Sequence, residues 1–264
     1  MRRAIKRSGF NGLLENLRQL VPDITAQYRV ATEAGDSFME TKLRGLHAFQ
    51  ISLLLRALED KAGDRVTVVD IGDSAGTHML YLQGLTKDRF HVDTISVNLD
   101  PVAIEKIRRR GLKAMLCRAE DLDLGGNEVD LFTSFEMLEH LHNPTIFLRR
   151  LAKRGNGDML VITVPYVRKS RVGLHSLRNR RNNKSVHAED EHIFELSPED
   201  WALLMLHSGW TVVHSQTYYQ YPRGWPGLSQ LLAYYWRQVD FEGFWGAILK
   251  KETSASDLYG DWEA

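Results

Sequence analysis

The chain has 264 residues, 43% hydrophobic and 26% charged, enough for one large core that needs neither disulfides nor a structural metal. Its single cysteine, Cys117, excludes a disulfide framework and any multi-cysteine zinc or iron–sulfur site. The 34 basic residues balance 34 acidic ones, which argues against a globally basic nucleic-acid binder.

In chain order, residues 1–62 read as helical and are expected to form an N-terminal cap. Leu13, Leu14, Leu17 and Leu20 precede Pro22, and a longer amphipathic pattern runs from Phe38 through Leu46 and Phe49 to Leu58. The first residues are basic, but Ser8-Gly9-Phe10-Asn11-Gly12 is no apolar signal segment. No apolar run approaches a membrane span, so a cytoplasmic location is expected.

From residue 63 short β-rich runs alternate with helical segments. Strands are expected at Val66–Ile71, His91–Val97, Lys113–Cys117, Val129–Ser134 and Met159–Val164, with helices near 76–85, 101–110 and 144–154. Asp100-Pro101 and Ser197-Pro198 mark helix starts. After the segment 165–196, a helix at 198–208, a strand at Trp210–Tyr219, a helix at 228–238 and a strand at Phe241–Lys250 are expected, the last pair antiparallel. The fold class is therefore α/β: a Rossmann-like, doubly wound, seven-stranded sheet, mostly parallel, with a domain over 63–250 and a tail at 251–264.

The charge balance is a cancellation. Between Arg168 and Lys184 there are seven basic residues and no acidic one, whereas Glu189–Asp200 holds six acids and no Lys or Arg. Residues 165–196 show no regular period and read as a lid over a ligand. All six tryptophans lie at or after Trp201.

Val68-Val69-Asp70-Ile71-Gly72-Asp73-Ser74-Ala75-Gly76 is a strand ending in an acid, then a glycine turn into a helix, the place where open α/β sheets bind ligands. Its G-x-x-x-G spacing is neither the dinucleotide pattern nor a Walker loop, which disfavours a nicotinamide oxidoreductase. The segment resembles the first motif of class I S-adenosylmethionine-dependent methyltransferases. Val129-Asp130-Leu131-Phe132-Thr133-Ser134-Phe135-Glu136-Met137-Leu138-Glu139-His140-Leu141 is similar to the fourth strand and following segment of the quinone-type, small-molecule members. Asn98-Leu99-Asp100, Cys117–Leu122, Asp158–Pro165 and His192–Pro198 match further motifs in order.

That resemblance implies S-adenosylmethionine as cofactor. It assigns Asp70, Gly72, Ser74 and Gly76 to the methionine end together with Phe135 and Glu136, Asn98 or Asp100 to the ribose, and Ala119–Glu120 to the adenine edge. Amides of the glycine turn and the following helix N-terminus suit the methionine carboxylate. Three positions depart from the pattern: Ser74 replaces a glycine, Asn98 an acid, and Arg118 an acid.

Transfer to a hydroxyl benefits from a general base. The candidates are His140, His187 and His192; the acidic segment around the last two also offers a metal, although their spacing is not that of a helical pair, and no metal is expected. Arg168, Arg171 and Arg178, with Tyr166 and Trp225, are candidates for holding a phosphorylated or glycosidic small-molecule acceptor. The leading expectation is O-methylation of a sugar, sugar-nucleotide or other anionic small molecule. A catalytically silent binding or scaffold subunit and an RNA methyltransferase clamping phosphates with 168–184 are the alternatives. Trp236 and Trp245 fit core packing or a homodimer contact equally well.

Overall fold

A computed structural model describes residues 1–24, 37–173, 191–220, 231 and 243–260. Helices α1 (Arg2–Arg7), α2 (Asn11–Leu20) and α3 (Ser37–Ala57) come first. Then β1 (Arg65–Ile71), α4 (Thr77–Thr86), β2 (His91–Asn98), α5 (Pro101–Arg109), β3 (Lys113–Leu116), β4 (Leu131–Phe135), α6 (Pro144–Arg154) and β5 (Met159–Tyr166) alternate as expected. Short strands β6 (Arg171–Val172) and β7 (Phe194–Glu195) precede α7 (Pro198–His207), β8 (Trp210–Tyr218) and β9 (Gly243–Lys251).

The main sheet has seven strands in the order β3-β2-β1-β4-β5-β9-β8. Pairing is parallel from β3 to β5, and β9 runs antiparallel to both β5 and β8. The strand formed last in the chain thus sits inside the sheet, which explains why Gly243–Leu249 is buried throughout. Parallel strands covered on both faces carry unbroken apolar runs, as Leu160, Val161, Ile162 and Val164 of β5 do.

Helix starts are built as the sequence implies. The side chains of Asp100, Asn143 and Ser197 accept backbone N–H bonds from Val102, Ile146 and Asp200 at 2.9, 3.0 and 3.3 Å, each just before a proline.

The described helices of the segment 1–62, α1 to α3, contribute to the main core. Phe10, Leu17, Phe49, Leu53 and Leu54 share one core with Val68 of β1 and Val161 of β5. Residues 44–51 of α3 are buried all round rather than on one stripe, and Gly246 of β9 is the reason the helix lies so close. A methyl group there would stand 2.4 Å from Leu53 Cδ1. The polar residues trapped in this stretch find partners: Arg44 donates to the carbonyl of Val21 at 2.9 Å and to Glu40 at 2.7 Å. Trp201, Trp210 and Trp245 are core residues, and Trp210 donates its indole N–H to the Leu148 carbonyl at 2.9 Å. No helix among the described residues is long and apolar enough to cross a membrane.

Candidate functional site

β1 delivers Asp70 to a turn whose backbone only glycine tolerates readily. Gly72 has φ of 95° and Gly76, at the start of α4, has φ of 74°. The Gly72 N–H donates to the Val97 carbonyl at 2.8 Å, and a Cβ on Gly72 would lie 2.8 Å from Met137 Cγ. The turn and the segment after β4 therefore touch. Ser74 is half-buried on this turn.

The residue that organises the turn is Asp73, which sequence reasoning passed over. Its Oδ1 accepts the backbone N–H bonds of Ala75 at 3.0 Å and Gly76 at 2.6 Å, and its Oδ2 accepts the Ser96 hydroxyl at 2.6 Å. Of the turn amides expected to suit a ligand carboxylate, those of Ala75 and Gly76 already bind Asp73. The signal was present: an Asp side chain that can bond the backbone N–H groups two and three residues on is a local turn pattern.

Asn98 ties this turn to the next. Its Nδ2 donates to the Asp73 carbonyl at 2.8 Å and its Oδ1 accepts the Asp100 N–H at 2.7 Å. Asp100 is the N-cap of α5, so its carboxylate faces Val102. Arg110, also missed, donates to the Ala75 carbonyl at 2.8 Å and to the Thr77 hydroxyl at 2.9 Å. Ala119–Asp121 forms a short helical turn after β3, where Arg118 lies 3.6 Å from Glu120 and Arg150 donates to the Glu120 carbonyl at 3.1 Å.

Asp70 accepts the Thr133 hydroxyl on Oδ1 at 2.6 Å, and its buried Oδ2 has no partner among the described residues. Burial first, and the Asp73 carboxylate second, push the Asp70 carboxyl well above the usual range. Glu136, just past β4, has φ of 50°, and burial raises its carboxyl to about 8. An orphaned carboxylate oxygen beside a glycine cradle fits an ammonium group, and these acids suit the positive charges of S-adenosylmethionine. The residues present fit the cofactor. Phe135 lies against His78 with ring centres 4.9 Å apart, and Gln50 of α3 joins His78 (2.7 Å) to Thr163 (3.0 Å).

Beyond Glu136 the structure gathers a second group of side chains. His140 and His192, from separate loops, stand edge to face with ring centres 4.8 Å apart. Between the two loops the Ile193 N–H donates to the Glu139 carbonyl at 2.7 Å. Glu139 is fully buried, and neither of its side-chain oxygens accepts a hydrogen bond from another described residue. Its carboxyl is pushed well up by burial, then by Glu136 and Glu195.

His140 Nδ1 is 3.0 Å from the Glu191 carbonyl, and His192 Nδ1 is 2.8 Å from Glu195 Oε1. Arg171, expected to hold substrate, instead pairs with Glu195 across the β6–β7 ribbon. The ribbon needs that bond because Glu195 is buried. The two ends of the expected lid are thereby tied together. Arg168 is exposed, and Tyr166 packs edge-on to Tyr219 at 5.6 Å. His187, Arg178 and Trp225 lie outside the described residues, as do Trp236 and the expected helix 228–238. Glu139 stood in the sequence only as part of the family-like segment ending Glu139-His140-Leu141, with no site role assigned to it.

A family model described as "Methyltransferase domain" matches residues 38–215, more than half of the chain. No curated protein sequence matches the chain. Among solved structures, the chain is similar to a 1,6-didemethyltoxoflavin-N1-methyltransferase from Burkholderia thailandensis with bound 1,6-didemethyltoxoflavin and S-adenosylhomocysteine. Identity there is 17% over 95% of this chain and 89% of that one, with a TM-score of 0.54. It is also similar to a geranyl diphosphate C-methyltransferase from Streptomyces coelicolor A3(2), at 13% identity over 90% and 97% of the two chains and a TM-score of 0.56. The [4+2]-cyclase SpnF matches at 12% identity over 91% and 93%, with a TM-score of 0.57. At these identities the likeness is one of fold. The family match, together with a glycine cradle and an orphaned acid at the end of β1, identifies the chain as a member of the methyltransferase-domain family, an S-adenosylmethionine-dependent methyltransferase.

Proposed function

We propose that the protein methylates an oxygen atom of a small polar molecule, a sugar, sugar-nucleotide or other anionic acceptor. The observation that carries this reading is the placement of His140, His192 and Glu139 directly beyond Phe135 and Glu136. A hydroxyl presented there meets groups able to accept or displace its proton.

The bound cofactor supplies a methyl group on a sulfonium leaving group. Asp70 and Glu136 hold its cationic end, and the Gly72 and Gly76 turn gives the backbone room to approach it. Met137 over Gly72, with Gln50 and His78 behind Phe135, shields the methyl from water. In the transfer the acceptor oxygen forms its bond to the methyl carbon as the carbon–sulfur bond breaks. The electron pair remains on sulfur, and the hydroxyl proton is given up in the Glu139–His140–His192 cluster. Exposed Arg168 and Lys169, at the edge of the same ribbon, supply positive charge for an anionic acceptor. The toxoflavin and geranyl diphosphate enzymes named above act on small molecules with the same fold, which supports a small acceptor.

The test is methyl transfer from labelled S-adenosylmethionine to a panel of sugars, sugar nucleotides and other hydroxyl compounds, with the product's methylated atom assigned by NMR. An O-methyl product is expected. Methylation confined to nitrogen or carbon, or to RNA, would overturn the reading.

A further inference from the structure

We propose that Glu139, His140 and His192 bind one divalent first-row transition-metal ion. Each offers one ligand atom, and the three atoms lie within 4.8 Å of one another. Metal–ligand bonds of about 2.0–2.2 Å require each side chain to move by less than about 1 Å.

The chemistry around the three is that of prepared ligands. Both histidines direct Nδ1 at an oxygen acceptor, the Glu191 carbonyl at 3.0 Å and the Glu195 carboxylate at 2.8 Å. An Nδ1 that faces an acceptor carries the proton, so the basic lone pair resides on Nε2. His140 Nε2 is 3.9 Å from Glu139 Oε1. A histidine whose second nitrogen donates to a carboxylate is a common arrangement behind metal ligands, because it fixes the ring and raises its basicity. Here Arg171 in turn holds that carboxylate.

Glu139 supplies the independent observation. A carboxylate that is fully buried and accepts no hydrogen bond from another described residue is costly, and a cation between it and two imidazoles removes that cost. Two imidazoles with one carboxylate favour Mn²⁺, Co²⁺, Fe²⁺ or Zn²⁺ over Ca²⁺, and three ligands leave coordination positions open.

The role of the ion rests on the proposed acceptor chemistry; its binding does not. An acceptor hydroxyl in an open position loses its proton to solvent water at lower pH than the free hydroxyl does. With the ion bound, Glu139, His140 and His192 would act as ligands rather than as the proton acceptor, the proton would pass to water, and no oxidant or reductant would be involved.

The test uses the untagged full chain, stripped with a chelator and titrated with Mn²⁺ while the EPR signal of the free ion is followed. One equivalent bound per chain is expected. Glu139→Gln and His192→Ala should each weaken binding at least about tenfold, as should Glu195→Gln, which removes the carboxylate behind His192. His192 is partly exposed, so its variant remains a fair test if the Glu139 variant does not fold. Absence of saturable binding up to millimolar Mn²⁺, or affinity unchanged in folded Glu139→Gln or His192→Ala, overturns the proposal. S-adenosylmethionine is titrated into the same stripped sample. Cofactor binding without any Mn²⁺ binding refutes the metal site alone; Mn²⁺ binding without cofactor binding keeps the site and refutes the functional reading.

Discussion

Asp73 Oδ1 stands 2.6 Å from the amide nitrogen of Gly76, so the glycine turn is held shut by one of its own side chains. A carboxylate here does the work that a bound anion does at other helix N-termini. Replacing it frees the Ala75 and Gly76 amides and removes the acceptor of the Ser96 hydroxyl together. Asp73→Ala is expected to lower stability by about 1–2 kcal/mol, and Asp73→Asn by less, since the amide oxygen still accepts. Urea unfolding measures both. An alanine variant as stable as the parent would show that the bond does not support the turn.

Cofactor binding should be coupled to release of a proton from Asp70. Burial, and after it the Asp73 carboxylate, push the Asp70 carboxyl well above the usual range, and a cation beside its Oδ2, unpartnered among the described residues, favours the ionised form. Calorimetric enthalpies of S-adenosylmethionine binding are therefore expected to vary with the ionisation enthalpy of the buffer. Asp70→Asn should weaken binding about tenfold or more and remove that variation. Identical enthalpies in phosphate and Tris would count against Asp70 as the group that titrates.

Acid should destabilise the protein through His78. Burial lowers its imidazole to about 3, and burial likewise lowers neighbouring His47, helped by the charges of His78 and Arg44. In the unfolded chain each takes a proton near pH 6.5, while in the folded chain it stays neutral. The stability contributed is complete above about pH 6.5 and falls as pH drops toward 3, by up to about 1.4 kcal/mol per pH unit for each group. Buried carboxyls raised by their surroundings act in the opposite direction, so the informative quantity is a difference. Between pH 7 and 5 the gap in unfolding free energy between parent and His78→Asn should narrow. A constant gap would mean that His78 titrates normally.

Two glycine substitutions should separate fold from site. Gly246→Ala puts a methyl 2.4 Å from Leu53 Cδ1 and 2.8 Å from Phe49 Cζ, between α3 and β9. A stability loss of about 1–3 kcal/mol is expected, with cofactor affinity nearly unchanged. Gly72→Val, at φ of 95° and 2.8 Å from Met137 Cγ, is expected to abolish cofactor binding while circular dichroism still reports a folded chain. Undiminished affinity in the second variant would misplace the cofactor site.

The alternation of strands and helices from β1 to β5 was legible in the sequence because it rests on local periods. So were the capped starts of α5 and α7, where Asp100 and Ser197 bond residues two or three positions away. The glycine turn was legible for the same reason: its backbone admits few other residues. Tertiary structure decided what depends on partners distant in sequence. It placed β9 between β5 and β8, and it buried residues 44–51 of α3 on every side because Gly246 lets the helix come close. It turned Arg171 from an expected substrate contact into the partner of buried Glu195. Above all it brought His192 from a strand-forming ribbon onto His140 and Glu139. A hydrophobic period records which face of an element is covered; it carries no record of which distant loop supplies the cover, and that is what assembled the site.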